Sequence, residues 1–276
     1  ANEIDANFVN AYQHSRRQMG IPLPQYGVST DSIEDFVDTD RLTAHIEEQR
    51  AQGNTVGMIG GPPCPDFSVG GKNKGRDGDN GKLSQTYVNI ITANQPDWFL
   101  FENVKGLWRT ARHRAFYEEL KTQLHNSGYV TTERLVNALE YGVPQDRFRI
   151  ILIGFRREFA DAHFGREESD ESLAEHFLWE EFITHNLTET LNLPWPTTSR
   201  FGGRPRRPSA IPAELTVGHW FNQNQVRTHP NASHCFKPRQ GLRRFLVIEE
   251  GDACKKSYKR LHRHRYSPTA AYGNNE

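Results

Sequence analysis

Short apolar runs separated by amphipathic stretches dominate the first half of the chain. TVGMIGG (55–61) and DWFLFENV (97–104) are compact apolar runs, and at that length they predict buried strands. Between them, SQTYVNIITANQ (84–95) carries apolar residues at helical spacing behind a candidate N-cap, Ser84. RAFYEELKTQLHNSG (114–128) is amphipathic, with Phe116, Leu120 and Leu124 on one face and Gly128 as its stop. YVTTERLVNA (129–138) and FRIILIGFR (148–156) predict two more strands joined by the turn LEYGVPQDR. This βαβαββ order predicts an α/β fold with a doubly wound, mainly parallel sheet.

The pattern changes after Arg157. An acidic helical stretch, EESDESLAEHFLWEEF, leads through LPWP into TTSRFGGRPRRPSAIP, and later strands are expected only in short pieces such as RFLVIEEG. A lobe boundary is expected near 190–200, and no internal repeat is visible. The 276 residues, 36% hydrophobic, suffice for one large core and a smaller lobe. No apolar run approaches the roughly 18 residues that span a membrane. The opening ANEIDANFVN is acidic and polar, unlike a secretory signal, so a cytoplasmic protein is expected. Cys64, Cys235 and Cys254 are odd in number and far apart, which argues against a disulfide framework. The net charge of zero hides a split: residues 200–265 hold 15 Lys and Arg against 4 Asp and Glu, and the remainder holds 19 against 30. A basic lobe on an acidic protein suits a nucleic acid partner.

Candidate chemistry begins at GGPPCPDFS (60–68). Pro63 and Pro65 bracket Cys64, so it belongs neither in a helix interior nor in a central strand. It falls on a rigid turn past a strand end, where open α/β sheets bind ligands. Glu102 ends the second strand, and Arg147 and Arg149 in QDRFR open the last. Singly, these read as a structural thiol, a surface carboxylate and an exposed strand edge. Together at strand ends, a thiol, a carboxyl and guanidinium groups can converge on one crevice. The glycine-dense VGGKNKGRDGDNGK (69–82) predicts a mobile lid, with Lys72, Lys74 and Arg76 for phosphate. His219, His229, His234, Cys235, Cys254, His262 and His264 lack C-x-x-C spacing, so no metal site is expected.

These segments resemble the DNA cytosine-5 methyltransferases of bacterial restriction-modification type. GGPPCPDFS resembles their nucleophile motif, FENV their glutamate motif and NALEYGVPQDRFRIILIG their arginine motif. ANEIDANFVNAYQHS resembles their acidic ribose motif, and STDSI (29–33) the place of their adenine-contacting aspartate. The likeness covers residues 1–156 well and 200–276 loosely. It implies a Rossmann-like, S-adenosylmethionine-dependent sheet with a smaller basic target-recognition lobe. The implied division is a catalytic domain at 1–190, a recognition lobe at 191–265 and a return segment at 266–276. The implied reaction is methyl transfer to C5 of a cytosine flipped out of duplex DNA. Cys64 would add to C6, a protonated Glu102 would hold N3 and the exocyclic amine, Arg149 would contact O2, and Arg147 would support the loop or a phosphate. Glu3, Ile4, Asp31, Ile33, Gly61, Pro63 and Leu83 would line the cofactor. Ser68, Asn103, Gln145, Arg206, Arg207 and Thr269 would serve the DNA side, Asn103 by bracing the nucleophile loop. Asn222, Gln223, Asn224 and Gln225 are unranked candidates for base contact.

The sequence departs from the family in three respects. The opening glycine-rich strand-turn and the closing arginine-glutamate and Gly-Asn segments are absent, which leads to the expectation of a fragment, a poor or inactive methyltransferase in isolation. Pro65 replaces the glutamine usual after the Pro-Cys pair. A monomer is expected, with a restriction endonuclease as a functional rather than a physical partner. An RNA cytosine-5 methyltransferase of the same fold, or a catalytically dead DNA-binding relative, are the alternatives.

Overall fold

The computed structural model describes residues 1–37, 40–63, 79–165, 169–229, 247–252 and 260–269. Cys64, Ser68, most of the glycine-rich stretch, His234, Cys235 and Cys254 lie outside these. The chain forms two compact units, Ala1–Leu135 with Arg149–Phe177, and Val136–Phe148 with Leu178–Glu276.

The first unit is built on a four-stranded sheet. Its strands β1 (Gly57–Gly60), β2 (Trp98–Val104), β3 (Tyr129–Asn137) and β5 (Phe148–Arg156) stand in the order β1-β2-β5-β3. β1 runs parallel to β2, but β5 runs antiparallel to it, so the sheet is mixed rather than mainly parallel. The reason lies in the connections. A helix carries the chain from β1 to β2, whereas only the short 138–147 segment separates β3 from β5, too short for a parallel crossover.

Alternation along β2 and β5 divides the sheet into two faces. Phe99, Phe101 and Asn103 pair with Gly154, Leu152 and Ile150 on the buried face. Helices α3 (Asp79–Asn94) and α5 (Ala111–Asn126) supply Val88, Ile91, Phe116, Tyr117, Leu120 and Leu124 to the same core. Each such side chain, fully buried, contributes about 1.5–3 kcal/mol. The core leaves no space at the strand glycine: a Cβ on Gly154 would lie 2.2 Å from the Phe99 ring. Leu100, Glu102 and Val104 share the other face with Ile153, Ile151 and Arg149. A second cluster, Val130, Phe155, Ala160 and Leu173, gathers helices α6 (Arg157–His163) and α7 (Asp170–His176).

Ser84 is not a cap. α3 begins at Asp79, and Ser84 sits buried inside it, its Oγ without a hydrogen-bond partner among the described residues. Two helices without a strong sequence signal precede the sheet: α1 (Ala6–Gln18), capped by Asp5, and α2 (Asp40–Ala51). The second unit holds the short helices α8 (Leu187–Leu191) and α9 (Val217–Gln223), with strand β4 (Gln145–Asp146) parallel to β6 (Ser267–Pro268). α4 itself (Lys105–Arg109) belongs to the first unit, directly after β2. Among the described residues no helix is long and apolar enough to cross a membrane.

Candidate active site

Glu102 and Arg149 meet on the face of the sheet opposite the α3–α5 core. Because β2 and β5 are antiparallel with Val104 opposite Arg149, Glu102 is the diagonal neighbour of Arg149 on the same face. Arg149 Nε lies 2.6 Å from Glu102 Oε1, a charge-assisted hydrogen bond. Both are partly covered, with side-chain exposures of 17% for Arg149 and 34% for Glu102. The β1 end closes on the same carboxylate: a Cβ on Gly61 would stand 3.1 Å from Glu102 Oε2. Two residues later the described chain reaches Pro63, directly before Cys64. The carboxyl and guanidinium expected from sequence are therefore together, beside the strand end that leads to the cysteine.

Asn103 points the other way. It is 1% exposed; its Oδ1 accepts from Val104 N–H at 2.8 Å, while Nδ2 has no acceptor among the described residues. Arg147 belongs to the second unit, where its carbonyl accepts from Ala138 N–H. That loop is held by a capping box. Asn137 N–H donates to Glu140, Leu139 N–H donates to Asn137 Oδ1, and Asn137 Nδ2 donates to Asp146 at 2.8 Å. Gly142, at φ 76°, ends this turn in the left-handed region that glycine favours. Gln145 spends its amide on the Pro268 carbonyl at 3.2 Å, and Thr269 Oγ1 donates to the Asp146 carbonyl at 3.0 Å. Both fasten β4 to β6 and its continuation, a structural task that sequence reasoning did not foresee. The signal was the segment's return to the chain after 265, which only tertiary pairing turns into a strand contact.

The nucleoside-binding candidates sit on two adjacent segments. Asn2 bridges Ser29, Glu3 N–H donates to the Ser29 carbonyl at 3.0 Å, and Asn2 Nδ2 donates to the Asp31 carbonyl at 3.0 Å. This brings the Glu3 and Asp31 segments side by side, both carboxylates exposed, with Ile4 68% exposed and Ile33 opening a 3-10 turn. Glu3 Oε1 accepts from Asp5 N–H, and Asp31 Oδ2 accepts from Ser29 Oγ and lies 3.7 Å from Arg41. The exposed carboxylates thus stand beside the exposed Ile4 and the half-buried Ile33. Leu83 is half-buried near the start of α3. Arg206 and Arg207 are exposed in the second unit. His262 and His264 are engaged locally, by Ser199 Oγ and the Pro205 carbonyl.

The family model for C-5 cytosine-specific DNA methylases matches residues 1–201. The chain belongs to the C-5 cytosine-specific DNA methylase family. Type II methyltransferase M.NmeDI of Neisseria meningitidis serogroup C is 53% identical over the whole chain, which spans 63% of that methylase's length. Type II methyltransferase M.HgiBI of Herpetosiphon aurantiacus is 28% identical over 85% of the chain, and the match spans 49% of its length. Among solved structures, a prophage-encoded protein described as a DNA modification methyltransferase (E. coli) covers 98% of this chain and 74% of its own, at 19% identity and a TM-score of 0.50. That likeness concerns the fold alone.

Proposed function

We propose that the protein is a DNA cytosine-5 methyltransferase acting on a flipped-out cytosine in a specific duplex sequence, with S-adenosylmethionine as methyl donor. The observation that carries the reading is the Glu102–Arg149 pair beside Gly61, two residues before the Pro-Cys-Pro turn, in a chain of the C-5 cytosine methylase family. The functional division proposed is catalytic at 1–190, target recognition at 191–265 and return at 266–276. The proposed setting is the bacterial cytoplasm, as the modification half of a restriction-modification pair.

Extruding the base costs a few kcal/mol of stacking and pairing. The cytosine then replaces Arg149 as the partner of Glu102: the carboxylate takes a proton from solvent as the guanidinium leaves it, donates a hydrogen bond to N3 and accepts one from the exocyclic amine, and Arg149 turns to O2. The Cys64 thiolate forms a bond to C6, and the 5,6 double-bond pair moves to C5 as N3 takes the Glu102 proton. S-adenosylmethionine, when bound, would supply an electrophilic methyl group, the pair of the broken S–CH3 bond remaining on its sulfur. Glu3 and Asp31 would hold its adenosine half, beside Ile4 and Ile33, with Gly61, Pro63 and Leu83 along the same wall. Loss of the C5 proton to water then restores the 5,6 double bond, the Cys64 thiolate leaves C6, and N3 returns its proton to Glu102. The buried Asn103 amide donor suits a brace for the cysteine-bearing segment, and Arg147, in the second unit, suits a phosphate contact.

The test is covalent trapping. Duplex DNA carrying 5-fluorocytosine cannot lose a C5 proton, so the wild-type protein with cofactor should form a denaturant-stable adduct, and Cys64→Ser should form none. An equal yield from the mutant would sink the assignment. Trapping on RNA of the same sequence, with none on DNA, would favour the RNA alternative.

A further inference from the structure

The second unit carries a cleft of about 620 Å³ lined by Arg204, Arg207, Arg227, Arg260, Arg263 and Asn222. An apolar groove with Trp220 and Asn224 on its wall adjoins it, and Val217, Phe221 and Leu261 line both. The two form one concave surface around α9, cationic on one side and aromatic on the other.

The arginines are not equivalent. Arg263 is committed to buried Glu250, its Nε lying 2.8 Å from Oε2. Arg260 donates to the Ile248 carbonyl at 2.9 Å and stacks on Phe201 at 3.6 Å. Arg204 and Arg207 are exposed and have no hydrogen-bond or ion-pair partner among the described residues. The four amides at 222–225 separate in the same way. Asn222 lines the cleft and Asn224 the groove, while neither wall includes Gln223 or Gln225.

α9 is held firmly enough to read a surface. Thr216 caps it, Trp220 Nε1 donates to the Glu214 carbonyl at 2.7 Å, and Gly218 N–H donates to the Arg263 carbonyl at 2.8 Å. A Cβ at 218 would lie 2.7 Å from that carbonyl, so glycine permits the close approach. A side chain projected from a fixed element discriminates better than one on a loose loop.

Resting on the proposed reading that the substrate is duplex DNA, we infer that Asn222 selects one base pair of the target, with Arg204 and Arg207 gripping the flanking phosphates. An amide offers a donor and an acceptor side by side and so complements a base edge that presents both. Free guanidinium groups around it supply the sequence-independent part of the affinity. Arg206, which lies outside the cleft wall, contributes less than its neighbour Arg207.

Binding selection from a randomised duplex pool, followed by sequencing, tests this without requiring methyl transfer. The full-length wild-type protein should enrich a defined sequence. Asn222→Ala should lose discrimination at one base pair by about 5- to 150-fold. The near-isosteric Asn222→Asp should alter preference at that same pair. Arg204→Ala with Arg207→Ala should weaken binding to all sequences alike and reduce the salt slope by about 1.8. An unchanged selection profile in folded Asn222→Ala overturns the inference, as does a wild type that enriches no sequence. Methyl transfer to the same pool is scored separately: its absence in the wild type overturns the proposed activity, while the selection still decides the role of Asn222.

Discussion

A methyl group at residue 61 would press on the carboxylate that the proposed reaction depends on. At 3.1 Å from Glu102 Oε2, the added Cβ is closer than ordinary contact, and the Glu102 side chain is the part able to give way. Displacing it would break its alignment with Arg149, held at 2.6 Å. Gly61→Ala should therefore lower kcat by about 10-fold or more, since small misplacements of reacting groups are expensive. The melting temperature should change little, because residue 61 is exposed. Steady-state kinetics with thermal unfolding checks this; an unchanged kcat would mean that Glu102 moves without consequence. Sequence reading placed Gly61 with the cofactor, and contact with Glu102 became visible only when β1 and β2 were paired.

The β2–β5 ladder makes a demand of its own. Phe99 stands opposite Gly154, and its ring fills the space a side chain would need. The Phe99 ring is fully buried and packs edge-on against Tyr129 at 5.2 Å, so it has nowhere to go. Gly154→Ala should cost about 1–3 kcal/mol as overpacking, read from denaturant midpoints; a neutral result would show that the core yields there. The same strands were legible beforehand because runs such as FRIILIGFR are dense in β-branched and aromatic residues. α1 and α2 were not, because each buries essentially one hydrophobic side chain, Val9 and Ile46. A helix whose face is mostly solvated leaves little periodicity to read.

Among the described residues, Asp170, Glu250 and His262 contribute to the response to acid. Burial alone would raise the Asp170 pKa, but the hydrogen bond from His125 and the backbone N–H of Thr131 bring it below the ordinary value. Glu250 behaves alike: burial raises it, and the Arg263 hydrogen bonds outweigh that and lower it. For both, the unfolded chain takes up a proton first as pH falls, so their stabilisation is present above about pH 4 and is lost below it. Burial lowers the pKa of His262, so the unfolded state is protonated first below about pH 6.5 and stability begins to fall there. Unfolding followed against pH should show a shallow decline from about 6.5 and a steeper one near 4. In His262→Gln the first decline should be reduced; its persistence at full size would remove His262 from the account.

The sequence alone determined the kind of chemistry. Cys64 between prolines, Glu102 at a strand end and the QDRFR run are local patterns whose residue types already restrict the reaction, and the order β1, α3, β2, α5, β3, β5 follows from local hydrophobicity. The +11 charge of residues 200–265 likewise belongs to composition and pointed to a polyanion. Only the tertiary structure decided that β5 runs against β2, because strand direction depends on how chain ends meet rather than on any single run. That direction places Arg149 diagonally across from Glu102. Tertiary structure also separated Asn222 from Gln223, and Arg207 from Arg206. Neighbours in sequence with similar chemistry differ in function only through the direction in which the backbone turns them.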